Sequence, residues 1–319
     1  MLKYTGRKIL EMIPKILLIS IVVFFAMDLL PGDALSRSMS PEAYRELSET
    51  QREEMREALG LNGPVYERYF RWFVNVLKGD FGYSSATGQN IAEMIAGRLP
   101  YTIELAGIGL VLAAIIGVSL GFLAAVKKNT ILDYICSGIS VLGVSLPGFF
   151  IGLIWLLLFA LTLKIFPVGG RMPVGDDSLV ARIPYMVLPL LTMASTQSAS
   201  LVRFTRSAMM DVLGKDYIKT ARSKGLNETT VNVKHALRNC MTPIMTTLVL
   251  ALPSLVGGSV IVETVFNYAG VGTLALEALN VGDIPVVMMT TMMAAVLTLI
   301  ASTLIDLLTA VLDPRVRFD

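Results

Sequence analysis

DYIKTARSKGLNETTVNVKHALRNCMTP, residues 216–243, is the stretch on which the reading of the chain turns. It is polar and basic and lies between long apolar runs. Arg203, Arg206, Lys215, Lys219, Arg222, Lys224, Lys234 and Arg238 crowd into it or just before it, and Asp211, Asp216 and Glu228 only partly offset them. Two short helices fit the pattern. The first ends near Lys224, with Gly225 beyond its cap, because glycine takes the left-handed conformation at no steric cost. Asn227 reads as the N-cap of the second. Its side-chain oxygen can accept from the open amides, and Glu228 complements the positive helix end. Val231, Val233, Ala236 and Leu237 give that second helix an apolar side. Pro243 stops the pattern and opens the next apolar run. The plainest account of such a stretch is a basic cytoplasmic loop that obeys the positive-inside rule.

This loop is more particular than that rule requires. Lys219-Thr220-Ala221, then Gly225, an apolar helix and a proline resemble the cytoplasmic loop of importer permeases of the ATP-binding-cassette class. There, Glu-Ala-Ala, three residues, Gly and a later Leu-Pro pair mark the helix that docks into the ATPase. Here Lys219 and Thr220 replace the Glu-Ala part and the proline comes later. Both departures are similar to the peptide and nickel permease branch, where DYxxTARxKGL and HALRN recur. Asp216-Tyr217, Thr220-Ala221-Arg222, Lys224-Gly225-Leu226 and His235 to Asn239 supply both strings.

Composition places this loop in a membrane protein. Of 319 residues, 54% are hydrophobic and only 16% charged, against about a quarter charged in an ordinary soluble domain. Mean hydropathy is +0.65. A net charge of +2 is too small to argue for nucleic acid. Cys136 and Cys240 fall near the expected cytoplasmic side, so a disulfide framework is not expected. With His235 the only histidine, no zinc site built by the protein is expected either.

Outward from the loop, the apolar runs give six spans. Lys3, Arg7, Lys8 and Lys15 precede the run 16–30, read as an uncleaved first span because no small-residue cleavage site follows. The string Leu29-Leu30-Pro31-Gly32-Asp33 at its end is familiar in the same branch, although the preceding residue, often basic there, is Asp28 here. A long polar segment follows. In it, residues 39–59 are helix-prone, and 65–77 repeat Tyr66, Tyr69, Phe70, Phe73 and Leu77 at helical spacing. Leu59-Gly60-Leu61 and Pro64 mark a turn, and Gly79-Asp80-Phe81-Gly82 breaks the second of these helices before a short helix at 91–99. The second span is expected at 102–126, with Gly107, Gly109, Gly117 and Gly121 allowing another helix to approach. The third, 134–163, carries a kink at Ser145, Pro147 and Gly148. The fourth, 183–201, has a polar second half, Ser195 to Ser200, that should meet protein or water. The fifth, 244–264, is broken by Pro253, Gly257 and Gly258, with Glu263 at its outer end as a solvated residue or a pathway residue. The sixth runs over 286–312 and ends in Asp313-Pro314-Arg315. Basic loops alternate with basic-poor ones at every crossing, which puts both termini inside.

No GxxxxGK[ST] loop, HExxH or GxSxG occurs, so neither ATP binding nor hydrolysis by this chain is expected. The resemblance extends to the external string around Trp72 and Gly79-Asp80-Phe81-Gly82, to Glu263-Thr264-Val265-Phe266 and to the last residues. It implies an all-α integral membrane protein with a type I importer permease fold. The expected organisation is a tail and first span at 1–31, an external cap segment at 32–100, a permease core at 101–313 with a coupling loop at 206–243, and a tail at 314–319. It also implies a bacterial cytoplasmic (inner) membrane location, a heterodimer with a second related permease, two ATPases that carry ATP and magnesium, and an extracytoplasmic binding protein. Di- or oligopeptide is the expected cargo. Nickel chelates or glutathione are the alternatives within the same architecture. A stand-alone carrier or channel, or a membrane scaffold, are the rivals outside it. The residues expected at the ATPase contact are Tyr217, Thr220, Ala221, Arg222, Gly225, Asn227, Lys234 and His235. Ser145, Gln197 and Glu263 are offered for the translocation pathway. No catalytic or metal-binding residue is expected.

Overall fold

The computed structural model describes residues 2–29, 35, 36, 39, 41–58, 62–173, 175, 176 and 178–312. The Leu30-Pro31-Gly32-Asp33 string, the Leu59-Gly60-Leu61 turn and the Asp313-Pro314-Arg315 ending lie outside the described residues. Apart from one isolated bridge between Tyr83 and Asn90, the described residues are helices and their connections. The chain divides into two compact units, Met1–Thr102 with Ala269–Leu299 and Ile103–Tyr268 with Ile300–Asp319.

The first unit begins with α1, Leu2–Asp28, then α2, Pro41–Glu46, α3, Glu49–Ala58, and α4, Val65–Leu77. Aromatic packing joins α4 to α1: the Phe24 ring lies 5.5 Å from Tyr69 and 5.4 Å from Trp72. The Tyr69 and Ser20 hydroxyls are 2.8 Å apart, and Arg68 pairs with Asp28. The acid that replaces a basic residue before the Leu29-Leu30 string thus has its own cation, 40 residues along the chain. The long helix α5, Ile91–Val126, starts in this unit, which also holds α13, Val271–Val281, and the first part of α14, Ile284–Leu312. Asp283 caps α14 and is 3% exposed. It accepts from the Ser84 hydroxyl, from the Ser85 amide and hydroxyl, both at 3.1 Å, and from the Ala86 amide at 3.4 Å. Five donors on one carboxylate, counting the Val286 amide at 3.5 Å, fasten the turn at 84–86 to the head of α14.

The second unit is built around α8, Leu179–Leu213, which packs against α6, Ile131–Ser145, and α7, Gly148–Trp155. α7 continues as a π-helical turn, Leu156–Thr162. The remaining elements are α9, Asp216–Ser223, α10, Glu228–Thr230, a second π-helical stretch, Val231–Leu237, then α11, Arg238–Leu250, and α12, Leu252–Val265. Small residues let the helices close. A methyl added at Gly117 would sit 2.5 Å from Leu201 Cβ, and one at Gly121 would sit 2.7 Å from both Val202 O and Thr205 Cβ. At Gly107 it would meet nothing within 4 Å. Gly121→Ala is therefore expected to push α8 away and to lower the yield of folded chain in detergent. Overpacking of this kind destabilises by about 1–3 kcal/mol. Gly107→Ala should match wild type, and the monodisperse yield of each variant on size-exclusion chromatography checks both.

Several helix boundaries differ from those read off the sequence. The short helix at 91–99 and the second span are one helix of 36 residues running through Pro100. Pro243 does not stop a helix but lies inside α11. Membrane helices tolerate such prolines because neighbouring groups re-satisfy the freed carbonyl. The fourth span continues past Leu201, through Arg203 and Arg206, to Leu213. At Ser145–Gly148 the bend is 112°, sharper than a kink. Among the described residues, four helices are long and apolar enough to cross a membrane, and the bent pair Ile131–Ser145 with Gly148–Thr162 makes a fifth if it is one span. The run at 244–264 turns at Ala251 and is shared by α11 and α12, of 13 and 14 residues. At 1.5 Å per residue each reaches about 20 Å, short of the ~30 Å hydrocarbon core. Pro253 sits in the first turn of α12, where its missing N–H removes no helical bond.

Candidate functional site

α9, α10 and the π-helical stretch form a compact hairpin at the end of α8. The α9 helix ends at Ser223, and Gly225 takes φ +79°. The Asn227 side-chain oxygen accepts from the Thr229 amide at 2.6 Å and the Thr230 amide at 3.4 Å, capping α10. Arg222 reaches across the turn to Glu228, with Nε 2.8 Å from Oε1 and a terminal nitrogen 3.2 Å from Oε2. The forked geometry fixes the angle between the two helices, although both groups are open to solvent and the pair contributes little net stability. Thr220 returns its hydroxyl to the Asp216 carbonyl at 3.0 Å.

The inner side of the hairpin is apolar and fully packed. Ile218, Val231, Ala236, Cys240 and Ile244 are each 0% exposed and share one core with Met209 and Leu201 of α8. Val231 and Ala236 are five residues apart, the hydrogen-bond span of a π-helix, and both face this core. Val233, expected on the apolar side, instead faces out at 48% exposure. Cys240 is a free thiol fully enclosed by this core.

The expected contact residues divide between these two sides. Tyr217, Thr220, Arg222, Gly225, Asn227 and Lys234 are on the exposed side, and His235 is half-buried. Ala221 is buried in the core the hairpin shares with α8. Leu226, 40% exposed, and Val233 add apolar area to the outer side, and the sequence reading placed neither among the contact residues. The signal for Val233 was the Val231–Ala236 interval, which contradicts a simple α-helical face.

One buried ion pair ties the neighbouring helices. Asp133, at the start of α6, accepts from Arg206 of α8 through Nε at 2.6 Å and a terminal nitrogen at 2.8 Å. The Asn129 amide, at 3.0 Å, and the Ser137 hydroxyl, at 3.3 Å, complete its shell. The Asp133 side chain is only 2% exposed. Sequence reading passed over Asp133. Its signal was an isolated acid at the edge of a basic cytoplasmic end.

The three pathway candidates fall near a cavity of about 330 Å³ in the second unit. Gln197 lines it, together with Gly143, Thr192, Thr196, Ser200 and Ile261. Ser145 is exposed and does not line it, although Val144 and Leu146 do. Glu263 is fully buried rather than solvated, beside the lining residue Val262. The polar half of α8 is largely satisfied within its own helix: Thr192 donates to the Leu188 carbonyl at 2.9 Å, Ser195 to Leu191 at 2.6 Å and Thr196 to Met193 at 3.0 Å. The Gln197 amide is the longest polar side chain at the cavity wall.

The comparisons with known proteins agree with this architecture. Residues 117–318 match the family described as "Binding-protein-dependent transport system inner membrane component", and residues 1–106 match its N-terminal counterpart. The chain is 38% identical over 320 residues to the oligopeptide transport system permease protein AppB of Bacillus subtilis, covering 100% of both chains. It is 35% identical over 318 residues to the glutathione transport system permease protein GsiC of Escherichia coli K12, again covering 100% of both. A chain of the inward-facing MetNI methionine ABC transporter shares the fold with a TM-score of 0.55 at 14% identity, over 69% of this chain and 96% of that one. With family matches across both halves and relatives aligned end to end, the chain belongs to the binding-protein-dependent transport system inner membrane components.

Proposed function

We propose that the chain is the transmembrane permease subunit of an ATP-driven importer for di- and oligopeptides. In this reading it pairs with a second, related permease. Two ATPase subunits, which hold ATP and magnesium, dock on the cytoplasmic hairpin, and an extracytoplasmic binding protein delivers cargo. The observation that carries the reading is the two-sidedness of the hairpin at 216–238. Its inner side is one core with α8, while its outer side presents Tyr217, Arg222, Leu226, Val233 and Lys234 to a partner. A push on such a body moves α8 with it, because packed cores transmit displacement instead of absorbing it. ATP closes the two ATPases, the hairpin follows, and the cavity beside Gln197 changes its access. The protein crosses the membrane six times in this account, with α11 and α12 together as one broken span and both termini cytoplasmic.

Peptide as cargo is supported by the name of the Bacillus subtilis relative, and the Escherichia coli relative keeps glutathione as the second reading. The test is reconstitution of the complex, with its second permease, ATPases and binding protein, in liposomes. Uptake of labelled di- and oligopeptide should require ATP and the binding protein, and glutathione should compete weakly. Strong competition by glutathione would reassign the cargo. Full uptake by the isolated chain on an ion gradient alone would overturn the reading.

A further inference from the structure

We propose that α4 is an interfacial helix whose Tyr66–Phe70–Val74–Leu77 edge is immersed in lipid, in the leaflet at the Asp28 end of α1. The proposal rests on the reading of α1 as a membrane span.

The helix has three sides, each at helical spacing. The first holds Tyr69, Trp72 and Val76 and belongs to the interior of its unit. Tyr69 is 5% exposed, with ring contacts to Phe24 and Phe25 and its hydroxyl on Ser20. The second is polar: Glu67, Arg71 and Asn75 recur every fourth residue and are all exposed. The third is apolar yet bare. Tyr66, Phe70, Val74 and Leu77 are 59%, 62%, 44% and 71% exposed. Tyr66, Phe70 and Val74 run alongside the polar stripe, one residue out of step with it. A helix in water has no use for two apolar sides. A helix lying at a bilayer surface against a span needs one side for the span, one for acyl chains and one for water.

The depth of α4 selects lipid as the occupant of the bare side. Ser20 precedes Asp28 by eight residues, so the Tyr69 contact lies about 12 Å along α1 from its end. At that level α1 is itself bare and apolar, with Leu18 65% and Val22 58% exposed. Lipid is the solvent for that surface, and the bare side of α4 continues it. The Arg68–Asp28 pair holds the polar side at the level where α1 leaves the hydrocarbon. Tyr66, Tyr69 and Trp72 are the residue types enriched at that depth.

The experiment uses the assembled transporter in nanodiscs, with an environment-sensitive fluorophore on Phe70→Cys, Val74→Cys, Asn75→Cys or Leu18→Cys. The native thiols, Cys136 and Cys240, are buried, and wild type serves as the labelling blank. Nitroxides on the acyl chains should quench the label at 70 and 74 several-fold more than at 75. Aqueous iodide should show the reverse order. A label at 70 that is quenched like the one at 75 would overturn the proposal. A label shielded from both quenchers would also overturn it, by showing a protein partner on that side. Leu18→Cys separates the two readings: lipid quenching there with none at 70 sinks only the interfacial helix, while no lipid quenching at 18 sinks the span and the proposal together.

Discussion

Gly225→Val is expected to lower ATP-driven uptake about tenfold or more while leaving the amount of chain in the membrane near wild type. The backbone at Gly225 has φ +79°. A β-branched residue there is a genuine outlier, and the left-handed conformation costs an L-residue roughly 1–2 kcal/mol. Space is not the issue, since a Cβ would meet nothing within 4 Å. The strain is therefore relieved by unwinding the turn, which breaks the Arg222–Glu228 fork and tilts the outer side of the hairpin. Since about 1.4 kcal/mol is a factor of ten in an equilibrium, strain of this size shifts the balance away from the docked geometry about tenfold. The buried side chains of both helices stay in the core they share with α8, so insertion is spared. A graded series checks the cause. Asn tolerates the left-handed region, so Gly225→Asn should retain most uptake, Gly225→Ala should be intermediate and Gly225→Val worst. Uptake and ATP hydrolysis are measured together in proteoliposomes. Equal loss at Asn and Val would show that strain is not the cause. Normal uptake by the Val variant would remove the hairpin from the coupling path.

What the sequence discloses and what it hides follow from the range of each interaction. The hairpin caps were legible because Gly225 and Asn227 act within three residues of themselves, and the bounds of α4 came out as read for the same reason. The close approach at Gly117 and Gly121 was legible from residue size. Long-range partners were not. Asp133 and Arg206 are 73 residues apart, and Ser84 and Asp283 are 199 apart. Each residue alone reads as a charge or hydroxyl at a helix end. Proline was over-read: Pro100 and Pro243 remain inside helices because the surrounding fold compensates the lost bond, which no local rule encodes. Of the two readings of Glu263 the solvated one does not hold, since depth along a span does not say which side of the helix is covered.

Arg206→Ala should be the more damaging half of an unequal pair. It leaves the Asp133 carboxylate, 2% exposed, with only an amide and a hydroxyl for company. Stranding a buried charge in this way costs about 3–5 kcal/mol. The reverse change, Asp133→Ala, frees a guanidinium that is 32% exposed and can turn to water, so it should cost clearly less. Removing both charges, as in Asp133→Asn with Arg206→Gln, should recover much of the loss, because the penalty belongs to the unpaired ion rather than to the missing bridge. Apparent thermal midpoints of the detergent-solubilised complex test this order, and a double-mutant cycle gives the coupling energy. The pair also joins α6 to the helix that carries the hairpin. If α6 follows α8 through it, the double neutral variant should be nearly as stable as wild type yet import less per ATP hydrolysed. Unchanged import per ATP would confine the pair to folding, and equal damage from the two single alanine variants would contradict the buried-carboxylate account itself.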